Sequence, residues 1–151
     1  MQDYQRPPTL HLYGMRGELE AALKEGQFRL VPYQGCLTLS FSEAWDPRLF
    51  DLLGPADACL VIHHTEAFGE RLHRAVQRTL PNWAGIDGAI AYAGRSPLGA
   101  TFTKAHADPA ERAWMFAWRP LQGSRSLSPV TISLGSIEQY AELRGPDERL
   151  S

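Results

Sequence analysis

The sequence predicts an α+β fold: a single compact domain of mixed, mostly antiparallel sheets carrying three or four helices. Strand-like and helix-like segments follow one another in uneven order, which argues against a doubly wound parallel sheet. The chain has 151 residues, one domain's worth and enough to bury a core without staples. Hydrophobic residues make up 44% and charged ones 21%, the balance of a folded globular chain rather than a disordered one.

The elements follow in order. Residues 1–8 are polar and proline-bearing and read as a flexible arm; residues 9–144 form the α+β domain, and 145–151 a frayed tail. Residues 9–14 alternate as a strand. Leu19, Ala22 and Leu23 then share one face of a helix over 17–24 that Gly26 stops. Two extended segments, 27–31 and 36–41, flank the turn PYQG. Asp46 before Pro47 has the form of an N-cap opening a short helix through Leu53. The apolar run 58–63 suits a central strand buried on both faces. Thr65 is placed to cap a helix with the stripe Phe68, Leu72, Ala75, Val76 and Leu80. Beyond Pro81 the sequence predicts a loop over 82–88, a strand over 89–93 and an extended tract over 100–104. Residues 113–118 read as a strand whose Trp114, Phe116 and Trp118 form a core-facing ladder. A strand over 130–134 and a last helix around 136–143 complete the reading.

Several function classes fall away on composition. A net charge of −2 gives no general attraction to phosphate backbones or anionic membranes, so neither nucleic acid nor a membrane is an expected partner. No apolar run reaches the roughly 20 residues of a membrane helix, and the first residues lack the order of a signal peptide, so a cytoplasmic location is expected. Cys36 and Cys59 lie in strand-like apolar runs and read as buried free thiols. His63 and His64 are adjacent on a strand and point to opposite faces, so no metal site is predicted around them. Nucleophile-elbow and phosphate-loop spacings are absent.

One polar set stands apart. Tyr13, Arg16, Ser40, Ser42, Glu43, Asp46, Lys104, Asp108 and Glu111 fall at the ends of predicted strands, where a sheet gathers groups remote in sequence. Ser40 and Ser42 are two apart on a strand and share a face, with Glu43 at its exit. A Lys or Arg beside such carboxylates suits a phosphate- or carboxylate-bearing ligand, with a Glu acting on a developing positive centre. A cluster of surface ion pairs and caps uses the same residues, and both readings stay open.

The order 41-FSEAWDPRLF-50, 58-ACLVIH-63, Tyr92, 102-FTKAHADPAERAW-114 and 130-VTISLG-135 resembles a widespread group of bacterial proteins. Its members read F-S-E-x-x-D-N-x-L-M-W, a short H-Y-A stretch, a G-x-C-I-x-F strand, a downstream tyrosine, and T-K followed by W-x-x-E-x-E-W-R. Their opening L-Y-x-Y strand and following helix are similar to 12-LYGMRGELEAALKEG-26. Phe41, Ser42, Glu43, Asp46, Leu49, Lys104, Glu111 and Trp114 stand at matching places, whereas DLLGPA replaces the H-Y-A stretch, Ala113 the second Glu of E-x-E and Met115 the Arg. The group's strand order and its S-x-S and E-x-E features look like those of ADP-ribosyltransferases, including toxin and phage-defence enzymes.

That resemblance implies an ADP-ribosyltransferase-like fold with NAD as co-substrate and a macromolecular acceptor. Tyr13 or Arg16 would grip NAD, Ser40 with Ser42 would shape the nicotinamide pocket, Lys104 would join the cofactor-binding set, and Glu111 and Glu43 would be the catalytic carboxylates. The retained Ser42, Glu43, Lys104 and Glu111 favour a working pocket, whereas small size, slight acidity and the missing second Glu favour the alternative: a non-catalytic relative that binds a cognate toxin or other protein, as an immunity protein, antitoxin or adaptor.

Overall fold

The computed structural model describes residues 5–92, 96, 98–103, 111–122 and 126–146. Among them are eight strands and three α-helices: β1 (Leu10–Gly14), α1 (Arg16–Glu25), β2 (Gln27–Tyr33), β3 (Cys36–Ser42), α2 (Leu49–Leu52), β4 (Ala58–Ile62), α3 (Thr65–Thr79), β5 (Trp83–Ala89), β6 (Ala113–Pro120), β7 (Val130–Ser133) and β8 (Ala141–Arg144). The predicted tail falls largely outside the described residues.

One α+β domain results. Its main sheet runs β5-β6-β3-β1-β4-β8, with β2 pairing β3 through its second half and β7 through its first. Every named strand pairing is antiparallel. The β2–β3 hairpin turns on Gln34 and Gly35, both at positive φ (49° and 77°), the backbone of a two-residue turn that matches strand twist. β1 and β3 share a single register pair, His11 with Ser42, and part on either side of it.

Burial follows from alternation. Leu10, Leu39, Phe41, Leu60, Trp114, Phe116 and Trp118 face one side of the sheet, where Leu19 and Ala22 of α1 and Phe68, Leu72, Ala75 and Val76 of α3 cover them. Phe41 stands edge-on to Phe68 and Phe116 at ring separations of 5.5 and 5.7 Å, so the aromatic ladder is core. The other face carries two smaller clusters. Tyr13, Cys59 and Val61 pack under Leu49 and Phe50 of α2, and Cys36, Ala113, Met115 and Ala117 pack with Ile90 and Phe102. Both cysteines are buried free thiols, and burial pushes the Cys59 thiol up to about 12.

Four predicted elements differ. The loop expected over 82–88 is β5 (Trp83–Ala89), and of the strand expected over 89–93 only Ala89 belongs to it among the described residues, because the ladder with β6 runs from Trp83–Pro120 to Ala89–Trp114. Glycines 85 and 88, which read as turn residues, leave room for the Trp118 indole and the Leu98 side chain. The helix expected around 136–143 is a turn followed by β8, whose Leu143 lies opposite Leu60. Ala100–Phe102 is a single 3-10 turn rather than part of a strand. Thr65 begins α3 without capping it, since its hydroxyl donates to the Pro7 carbonyl at 2.5 Å. No helix among the described residues is long and apolar enough to cross a membrane.

Candidate binding site

The exit of β3 gathers much of the predicted set. Ser42 is 1% exposed, and its hydroxyl donates to the Glu111 carbonyl at 2.5 Å while accepting the Ala44 N–H at 3.1 Å. Tyr13, on the neighbouring strand, donates through its hydroxyl to the Ala44 carbonyl at 2.8 Å and accepts the Asp46 N–H at 3.1 Å. Both hydroxyl protons therefore go to backbone oxygens, and the chain at residues 42–46 is pinned from two sides. The Glu43 N–H donates to the Arg112 carbonyl at 2.9 Å, and the Arg112 guanidinium stands 3.8 Å from the Glu43 carboxylate. Arg112 adopts φ 43°, the left-handed region that a β-bearing residue enters at a cost, and this turns the chain sharply into β6.

Two charges at this exit are shifted by their surroundings. Burial raises the Glu43 carboxyl above the ordinary range, opposed by Arg112. Burial lowers the His11 imidazole, opposed by its bond to the Ser42 carbonyl and assisted by nearby His63. His11 is 2% exposed and its Nδ1 donates to that carbonyl at 3.1 Å, so the proton sits on Nδ1 and Nε2 carries a bare lone pair. Nε2 has no hydrogen-bond partner among the described residues. Trp45 covers this corner, its ring centroid 6.3 Å from both His11 and Tyr13.

The shift on His11 sets a pH dependence. Its folded pKa lies below the unfolded value of about 6.5, so the unfolded chain takes up the proton first as pH falls. Stability held above about pH 6.5 is therefore expected to decline below it. His11→Gln should flatten that part of a stability profile measured by denaturant titration between pH 8 and 5, roughly the range over which a histidine changes charge.

The remaining predicted residues differ in their surroundings. Arg16 opens α1, where its backbone N–H bonds Asp57 Oδ1 at 2.8 Å, and the residue is exposed. Ser40 is half-buried opposite Met115 of β6, on the Ser42 face. Asp46 bonds Arg48 through both the backbone N–H and the guanidinium, an exposed local pair. Lys104, His106 and Asp108 lie outside the described residues. Where β1 and β3 part on the helix side, a cleft of about 430 Å³ opens between α1 and β2, lined by Leu12, Leu19, Phe28 and Leu39 with exposed Glu18 and Arg29.

The strongest electrostatic arrangement is one that reading the sequence missed. Asp87 of β5 is 4% exposed and receives four bonds: Arg6 Nε at 2.8 Å and Nη2 at 3.0 Å, His73 Nε2 at 2.8 Å, and Trp114 Nε1 at 2.8 Å. Burial alone would raise its carboxyl, but these donors together hold it well below the carboxylate range. An Asp–His pair invites a catalytic reading. Trp118 Nε1 donates to His73 Nδ1 at 3.1 Å, however, so both imidazole nitrogens are engaged and neither serves a substrate. Only the tract's misreading as a loop hid Asp87; a carboxylate alternating with Trp83 and Gly85 on a strand would have marked it as inward-facing.

No group of three potential metal ligands occurs among the described residues. Comparison with protein-family models, with curated proteins and with solved structures finds no match.

Proposed function

We propose that the chain is a non-catalytic protein-binding module, in the manner of an immunity protein, antitoxin or adaptor of bacterial conflict. The observation that carries this reading is the commitment of the Tyr13 hydroxyl to the Ala44 carbonyl and of the Ser42 hydroxyl to the Glu111 carbonyl. A nicotinamide pocket needs such hydroxyls turned toward a ligand, and here they hold two strand ends and a loop. Ala113, which the resemblance sets at the place of the second catalytic Glu, is 1% exposed and opposite Ser42 in the β3–β6 ladder, so this position carries no carboxylate. The outer side of β5 offers a surface of the right kind, since β5 pairs with β6 alone among the described strands and presents Ile86 at 47% exposure.

The second reading, an ADP-ribosyltransferase-like enzyme using NAD, is favoured by one observation: Ser42, Glu43, Tyr13 and the Glu111 backbone do meet at one place. A nicotinamide-release assay with NAD separates the two. The expected result is no release above a buffer blank, with wild type and Glu111→Ala indistinguishable. Release that Glu111→Ala abolishes, with an unchanged melting temperature, would overturn the binding-module reading.

A further inference from the structure

The opening residues read as a loose arm, and Pro7 and Pro8 leave two of them without a backbone donor. Arg6 nevertheless ends in a closely fitted seat, with 11% of its side chain exposed. Its Nε and Nη2 meet the two oxygens of Asp87 side by side, the geometry in which a planar guanidinium and a carboxylate match point for point. Nη1 reaches Glu66 Oε1 at 2.7 Å, and the Arg6 N–H reaches Glu66 Oε2 at 3.2 Å. Phe116 lies under the guanidinium, 5.9 Å from its centroid to Cζ. At Gly69 of α3 a Cβ would stand 2.5 Å from Arg6 Cζ, so the missing side chain is what makes the seat wide enough.

The walls of this seat named above belong to α3, β5 and β6, and its occupant comes from the arm. His73 and Trp114 bond Asp87 from beneath, so the carboxylate is aimed before the guanidinium arrives. Near Arg6 the arm is tied down by the Pro7 carbonyl, which accepts from Thr65. An emptied seat would strand buried charge, which favours exchange of the arm for another cation over its simple release. Lysine is a poor substitute, because a point charge meets one oxygen where the guanidinium fork meets two.

We propose that this α3–β5–β6 surface is a receptor for an arginine side chain on an extended, proline-bearing segment, that the N-terminal arm is its resident ligand, and that a partner protein's arginine-bearing segment takes the same seat by displacing the arm. The receptor stands on its own geometry; the partner rests on the binding-module reading.

The test uses the full-length chain with Arg6→Ala and a labelled peptide of residues 5–10, QRPPTL, alongside its Arg→Lys counterpart, read by fluorescence anisotropy. The expected result is saturable binding of the arginine peptide to Arg6→Ala, about tenfold or more tighter than to wild type, whose own arm competes, with the lysine peptide much weaker than either. Should Arg6→Ala prove too unstable to handle, Arg6→Lys keeps a cation in the seat and is expected to yield to the arginine peptide more readily than wild type does. Equal binding of the two peptides, or none to either variant, overturns the receptor. Binding to the variants with none to wild type at any concentration overturns displacement. Nicotinamide release by wild type would defeat the binding-module reading while leaving these peptide titrations intact, so the two failures are distinguishable.

Discussion

Replacing Arg6 by alanine is expected to lower the stability of the fold by about 3–5 kcal/mol, the cost of stranding a buried charge that has lost its partner. For a domain of this size that is on the order of 6–20 °C in melting temperature. The size of the effect comes from Asp87 rather than from Arg6. The carboxylate is 4% exposed between Trp114, His73 and the arm, and the guanidinium meets both of its oxygens. Pairing Arg6→Ala with Asp87→Asn should recover part of the loss, because the charge that needs a partner is removed with it; additive losses in that cycle would mean that Arg6 acts by packing on Phe116 instead. Acid adds an independent check. Asp87 holds a folded pKa below its unfolded value, so the stability it contributes is full above about pH 4 and is lost as pH falls further. In Arg6→Ala that decline should be shallower.

Gly26→Ala is expected to be nearly as damaging, on the order of 4 kcal/mol, for a reason confined to the backbone. Gly26 ends α1 at φ 65°, where its N–H returns to the Ala21 carbonyl in a left-handed cap. Its carbonyl accepts the Leu134 N–H at 2.9 Å, and the Gly135 N–H bonds Glu25 at 3.0 Å, so the chain leaving β7 lies flat against the helix end. A Cβ at position 26 would overlap the Gly135 carbonyl oxygen, and neither backbone can retreat without breaking those bonds. Urea unfolding followed by far-ultraviolet circular dichroism reads the loss directly. A change under about 1 kcal/mol would mean that the left-handed residue alone, with no steric overlap, sets the cost.

How far the sequence could be read follows from which signal each element carried. Strands whose alternation is strong, such as 113-AWMFAW-118, and those wholly apolar, such as 58-ACLVI-62, are where pattern reading placed them, and the α1 and α3 stripes bury the residues expected of them. β5 was invisible because Gly85, Asp87 and Gly88 are the residues of a turn by local preference. Their reasons for being in a strand are a tryptophan, a leucine and an arginine contributed from far along the chain. β8 was misread because Ile137, Tyr140 and Leu143 are spaced as on a helix, although the first two pack from a turn and the third from a strand. The site shows the same division. Convergence of Tyr13, Ser42, Glu43 and Glu111 at strand ends is what alternation predicts, but alternation does not say whether a hydroxyl faces a ligand or a carbonyl. The Asp87 network joins positions 6, 73, 87, 114 and 118, a grouping no local pattern encodes.

The single register pair between β1 and β3 has a mechanical consequence. Each half of the main sheet, β5-β6-β3 on one side and β1-β4-β8 on the other, is laced internally by ladders of four or more registered pairs, while among the described strands a single registered pair, His11 with Ser42, joins the halves. Load applied across the sheet therefore passes through side chains, chiefly the α3 and α1 stripes that span both halves, rather than through backbone hydrogen bonds. The cleft beside Leu12 and Leu39 opens along that seam, where the two halves share the least backbone pairing.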